Sequence, residues 1–80
     1  MKLYFSRHAK RQMKWRGISE EEVQSAISNP EETENSIKGR KNAFKHIGKK
    51  WIKVTFKEEA DTITIVTAMD RSNQEEKREN

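Results

Sequence analysis

The chain reads as an α+β domain, and three observations predict it. Apolar residues recur at helical spacing between residues 6 and 29, they alternate with period two from about residue 33 onward, and glycine or proline punctuates the changes at Gly17, Pro30, Gly39 and Gly48. Helices followed by a meander of strands bury their apolar surface most simply as two helices on one face of a small antiparallel sheet. The order expected is β-α-α-β-β-β, with the opposite sheet face open to solvent or to a ligand.

Each element has a local reason. Lys2 to Phe5 alternates polar and apolar residues, as a short strand does. Ser6 can cap a helix running to about Arg16, and Gly17 stands where helices commonly end in a left-handed residue. Ser19 and Glu22 form an S-x-x-E capping box for a second helix, with Val23, Ala26 and Ile27 on its apolar stripe and Asn29-Pro30 closing it. Period-two segments follow: near Thr33 to Ile37, then Asn42 to Ile47 after a turn at Lys38-Gly39, then Trp51 to Phe56 after Gly48-Lys49. In the third of these, Ile52, Val54 and Phe56 share one face. After KEEAD, the β-branched run TITIVTA is the strongest strand signal in the chain. Residues 1–71 form one domain. Residues 72–80 form a polar tail or a short helix, which Ser72 and Glu75 would cap.

Composition narrows the function. With 80 residues, 31% apolar and 38% charged, the core is thin. A domain of this size buries only about 60% of the surface its unfolded chain exposes, so a protein partner or a homodimer is expected to supplement it. The absence of cysteine excludes disulfides, thiolate zinc sites and cysteine nucleophiles, and suits a reducing compartment. No apolar run is long enough for a membrane span, and the opening MKLYFSRHAK turns basic too soon for a signal peptide. A cytoplasmic location is the expectation.

The net charge of +4 understates how charge is arranged. Residues 1–16 hold six Lys or Arg and no acid, and residues 38–57 hold eight and no acid. Segregated positive charge attracts a polyanion, with nucleic acid the usual candidate; a merely solvated lysine-rich surface is the alternative. On the first helix, Arg7, Lys10, Arg11 and Lys14 lie opposite Ala9 and Met13, with His8 and Trp15 at the border of the two faces. In the strand block, Lys38, Arg40, Lys41, Lys45, Lys49, Lys50 and Lys53 surround Phe44, His46 and Trp51, with Arg40, Lys41, Lys45, Lys49, Lys50 and Trp51 the expected RNA contacts. Cations interleaved with aromatic rings suit single-stranded RNA, because rings stack on splayed bases while the cations take the phosphates. With so few large apolar residues, one of Phe44 and Trp51 is expected to face the helices as core.

Two histidines without cysteine, and acids placed away from both along the chain, predict no metal site and no cofactor. Metal-independent chemistry on RNA fits such a chain. The substrate supplies its own 2′-hydroxyl nucleophile, so the protein needs a proton carrier, His8 or His46, and a fixed cation for the charge accumulating on phosphorus.

A resemblance sharpens this expectation. HAKRQMKWRGISEEEVQSAISNP resembles the H-A-x-x-R-M-x-x-R-G-I-x-x-x-E-V opening of a family of small domains of unknown function, itself similar to the BrnT-type toxins of the RelE/ParE superfamily. GRKNAFKHIGKKWIKVTFKEEADTITIVTAMDR resembles the glycine-basic turn, strand pair and final strand of those proteins, so the likeness spans roughly residues 3–71. In the register that matches Arg11 to the motif's arginine, Gln12 stands where the methionine is expected and Met13 follows. The resemblance implies a RelE-like fold and a type II toxin, a metal-independent endoribonuclease restrained by a cognate antitoxin protein. It carries His8 and Arg11 into the site. Met69 in TAMDR stands where a basic segment would place arginine, and Arg71 is its substitute. The competing expectation is a noncatalytic RNA-binding or protein-interaction module of the same fold.

Overall fold

The computed structural model describes residues 2–72, so the tail expected at 72–80 lies, apart from Ser72, outside the described residues. Strand β1 (Lys2–Phe5) leads through Ser6 into α1 (Arg7–Arg16). The Ser6 side chain accepts a hydrogen bond from the Ala9 N–H at 3.0 Å, which satisfies one of the orphan donors of the first turn. Gly17 ends α1 at φ 67°, a left-handed conformation that glycine adopts without the steric cost a side chain would bring. The capping box forms as read: Glu22 N–H donates to Ser19 Oγ at 3.1 Å, and Ser19 N–H donates to Glu22 Oε1 at 2.8 Å, opening α2 (Glu20–Ser28). Then come β2 (Glu32–Asn35), β3 (Lys41–Ile47), β4 (Lys50–Glu59) and β5 (Thr62–Asp70).

The fold is α+β, but its sheet differs from the expected one. It has the five strands read segment by segment, one more than the shorthand β-α-α-β-β-β carries, in the order β1-β5-β4-β3-β2. It is also mixed, because β1 pairs in parallel with β5 while the other pairs are antiparallel. Side-chain alternation is the same in both ladder types, so the sequence pattern holds no record of strand direction. Boundaries moved as well. Lys38 (φ 57°) and Gly39 (φ 74°) turn the chain sharply, removing Ile37 from β2 and leaving it 72% exposed. In the other direction, β4 runs on through Lys57, Glu58 and Glu59, so the turn to β5 shrinks to Ala60-Asp61.

Both helices cover one sheet face, α1 over β5 and α2 over β3 and β4. Between them and the sheet lie Ala9, Met13, Val23 and Ala26 against Ala43, Ile52, Val54, Phe56, Ile63, Ile65 and Ala68. Because side chains alternate, Asn42, Phe44 and His46 of β3 and Trp51, Lys53 and Thr55 of β4 point the other way. Neither Phe44 nor Trp51 therefore joins the helix-covered core, contrary to expectation: Ala43 and Ile52 hold the inward places beside them. No helix among the described residues is long and apolar enough to cross a membrane.

Candidate nucleic-acid interface

The outer surface of α1 carries Arg7, His8, Lys10, Arg11 and Lys14, all exposed. Trp15 is not a border residue but 91% exposed. Its place follows from helical geometry, since Met13 takes the inward position two residues earlier. Along the inner edge, Gln12 and Arg16 pin the helix to β5. Arg16 Nη1 donates to the Ala68 carbonyl at 2.8 Å and to Gln12 Oε1 at 3.4 Å, and the Thr67 hydroxyl also donates to Gln12 Oε1.

The rings of the second basic block lie on the other sheet face, which no helix among the described residues covers. The His46 and Trp51 rings lie 4.1 Å apart between centroids, and Phe44 stacks on Trp51 at 5.7 Å and 22°. Lys53 stands opposite Phe44 on the same face. Below the rings, Thr55 Oγ1 donates to Asn42 Oδ1 at 2.7 Å and Asn42 Nδ2 donates to Glu34 Oε1 at 3.0 Å, so both buried polar side chains are satisfied. At the rim, Glu31 grips His46 twice. The His46 N–H donates to Oε2 at 2.7 Å, and Nδ1 lies 3.2 Å from Oε1. The backbone N–H bond, followed by the ring contact, holds the Glu31 carboxyl below its usual range. The Arg71 N–H donates to the Trp51 carbonyl at 2.7 Å, which ties the end of β5 to this same corner.

The expected catalytic set is thus divided. His46 and the Arg71 backbone meet at one end of the sheet, whereas His8 and Arg11 belong to α1 on the helix-covered side. The expected RNA-binding cations divide too. Lys49 is exposed in the β3–β4 turn and Arg40 is half-buried at the start of β3. Lys41 pairs with Glu58 at 3.2 Å, and Lys45 donates to the Asn29 carbonyl at 3.1 Å. Lys50 donates to the Gly17 carbonyl at 2.6 Å and to both Glu22 oxygens at 3.2 Å. It therefore clamps the helix junction to β4. Burial alone would raise the Glu22 carboxyl, but hydrogen bonds from Ser19 and Lys50 outweigh it and leave Glu22 below its ordinary value.

The sequence pattern marks Lys53 as one of the cations around the rings but does not mark Glu31 or Asn42 as site residues. The alternation that puts Ile52, Val54 and Phe56 inward already puts Lys53 beside the rings, so that residue was legible. Glu31 was not, because acids are expected to lie away from both histidines; the β2–β3 hairpin brings residues fifteen positions apart together. A groove between β1 and the helices, lined by Leu3, Phe5, Lys10, Gln24 and Ile27, holds only Lys10 of the expected site.

Residues 5–70 match the family described as "Domain of unknown function (DUF4258)". The chain belongs to DUF4258. The matched span runs from the last residue of β1 to the last of β5, so it includes both helices, the Phe44–Trp51–His46 rings and Glu31, with Arg71 one residue beyond. No curated protein and no solved structure matches this DUF4258 chain.

Proposed function

We propose that this DUF4258 domain binds single-stranded RNA and cleaves it without a metal ion, as a BrnT-like toxin of RelE-like fold held in check by a cognate antitoxin. One observation carries the reading: the His46 ring lies tilted against Trp51, meets Glu31 through Nδ1, and sits at the corner where Arg71 is tied to the sheet. Glu31 fixes the orientation of the His46 ring, and the neutral imidazole takes the 2′-hydroxyl proton. The 2′-oxygen then attacks phosphorus, the P–O5′ bond breaks, and the departing 5′-oxygen is protonated, leaving a 2′,3′-cyclic phosphate and a 5′-hydroxyl. Arg71 is the cation assigned to the charge on phosphorus, Trp51 and Phe44 offer ring faces to a base, and Lys53 takes a phosphate. His46 displaces His8 as the preferred proton carrier because, among the described residues, it is the histidine with a carboxylate in contact.

The second reading, a noncatalytic RNA-binding or protein-interaction module, is favoured by the separation of His8 and Arg11 from His46. The test is incubation of the purified chain with mixed-sequence RNA in EDTA, reading products for 2′,3′-cyclic phosphate ends. His46→Ala is expected to lower cleavage by about 100-fold or more. Undiminished cleavage by that variant would reject the His46 assignment, and RNA that is bound yet intact would establish the binding module instead.

A further inference from the structure

Trp15 is the most exposed of the large apolar side chains, at 91% against 72% for Ile37 and 60% for Tyr4. It has no part in the core, and the site at His46 lies on the other side of the sheet. Its surroundings are set by helix geometry. Residues four apart are surface neighbours, so Arg7, Arg11 and Trp15 form one stripe along α1, flanked by His8 and Lys14. Every residue of that stripe is exposed, and α1 contains no acid. A single exposed indole is ordinary on a protein surface, but one that shares a helix stripe with two guanidinium groups presents a ring face and fixed cations together.

The chemistry of the stripe selects among ligands. A protein partner's hot spot is normally a ring surrounded by further apolar area that excludes water. Here the ring is bordered by guanidinium and ammonium groups, and no other exposed large apolar residue lies on α1. A nucleotide supplies what such a stripe lacks: a flat ring to stack on the indole and phosphates to meet Arg11, Arg7 and Lys14. We propose that Trp15, with Arg11 and Arg7, is a second nucleotide-binding site for single-stranded RNA, separate from the His46 corner. Its choice of RNA rests on the function proposed above, but its location does not. The domain then holds its RNA at two places on opposite sides of the sheet, one that stacks and anchors and one that carries the chemistry.

The test uses the two tryptophans as separate reporters. In Trp51→Phe, Trp15 is the sole indole, and titration with an oligouridylate is expected to quench its fluorescence. Trp15→Ala, at an exposed position where folding is not at stake, is expected to weaken oligouridylate binding by about 5- to 150-fold, with Trp15→Phe losing less. An unquenched Trp15 together with wild-type affinity in Trp15→Ala would overturn the site while leaving RNA binding intact. Absence of any RNA affinity in the wild-type chain would instead overturn the RNA reading, and this site's ligand with it. Equal binding of an oligothymidylate would overturn the preference for RNA, and quenching by polyglutamate but not by the oligonucleotide would reassign the stripe to an acidic protein.

Discussion

On the helix-covered face of the sheet, Ile52, Val54 and Ile65 are fully buried beneath α1 and α2. On the opposite face Phe44 is only 6% exposed, and no helix among the described residues lies over it. Within the sheet Trp51 stacks on its ring, and beside it runs the Thr55–Asn42–Glu34 chain of hydrogen bonds. The first face is closed by a second layer and serves stability. The second carries no such layer among the described residues, and it holds the rings proposed to meet a base. A thin core and an available aromatic surface are thus two results of one arrangement, in which the few apolar residues go under the helices and the rings go elsewhere.

The contrast can be broken by substitution, and the largest effect belongs to the covered face. Ile65→Ala leaves a cavity between two layers that cannot collapse, and a loss of about 2–5 kcal/mol is expected from denaturant midpoints at unchanged slope. Phe44→Ala should cost less, about 1–3 kcal/mol, because the space it leaves opens to water and Trp51 can settle into it. If Phe44→Ala cost as much as Ile65→Ala, the open face would be a second core and the proposed base-stacking role of its rings would weaken. Asn42→Ala strands the buried Thr55 hydroxyl, with an expected loss of about 1–3 kcal/mol. Adding Thr55→Val should recover part of it by removing the stranded group.

Smaller effects sharpen the comparison at the edges. Glu22 has a carboxyl pKa below its ordinary 4.5 in the folded chain, so the stability it contributes is fully present above about pH 4.5 and is lost as pH falls through the lower folded value. Glu22→Gln should flatten that acid limb in thermal melts taken between pH 7 and pH 3, and a limb of unchanged steepness would count against the Ser19–Glu22–Lys50 clamp. Smallest of all, Trp15→Ala should change stability by no more than about 0.5 kcal/mol, since the ring contributes nothing to either face. A larger loss would show that the indole packs, and would remove the main reason for assigning it a ligand.

Much of the fold was legible because its signals are local. Ser6, Gly17 and the Ser19–Glu22 box mark the helix ends through bonds spanning three to five residues, and alternation in WIKVTF identifies the inward Ile52, Val54 and Phe56. The site was legible in residue type but not in assembly. His46, Trp51 and Phe44 were recognised as a cluster because they lie on facing strands of one hairpin. Glu31 was missed, and Lys50 was assigned to RNA, because their partners are fifteen and about thirty residues away.

By itself, the sequence determined which segments are helix or strand, which face of each is apolar, and that positive charge is segregated into two blocks. Those properties depend on periodicity and capping chemistry within a few residues. Tertiary structure alone decided that β1 lies parallel to β5, that the helices cover the face carrying Ala43 and Ile52, and that the α1 cations and the Phe44–Trp51–His46 rings end on opposite sides of the sheet. These depend on which distant strands meet and on which face the helices bury, and a one-dimensional pattern has no term for either.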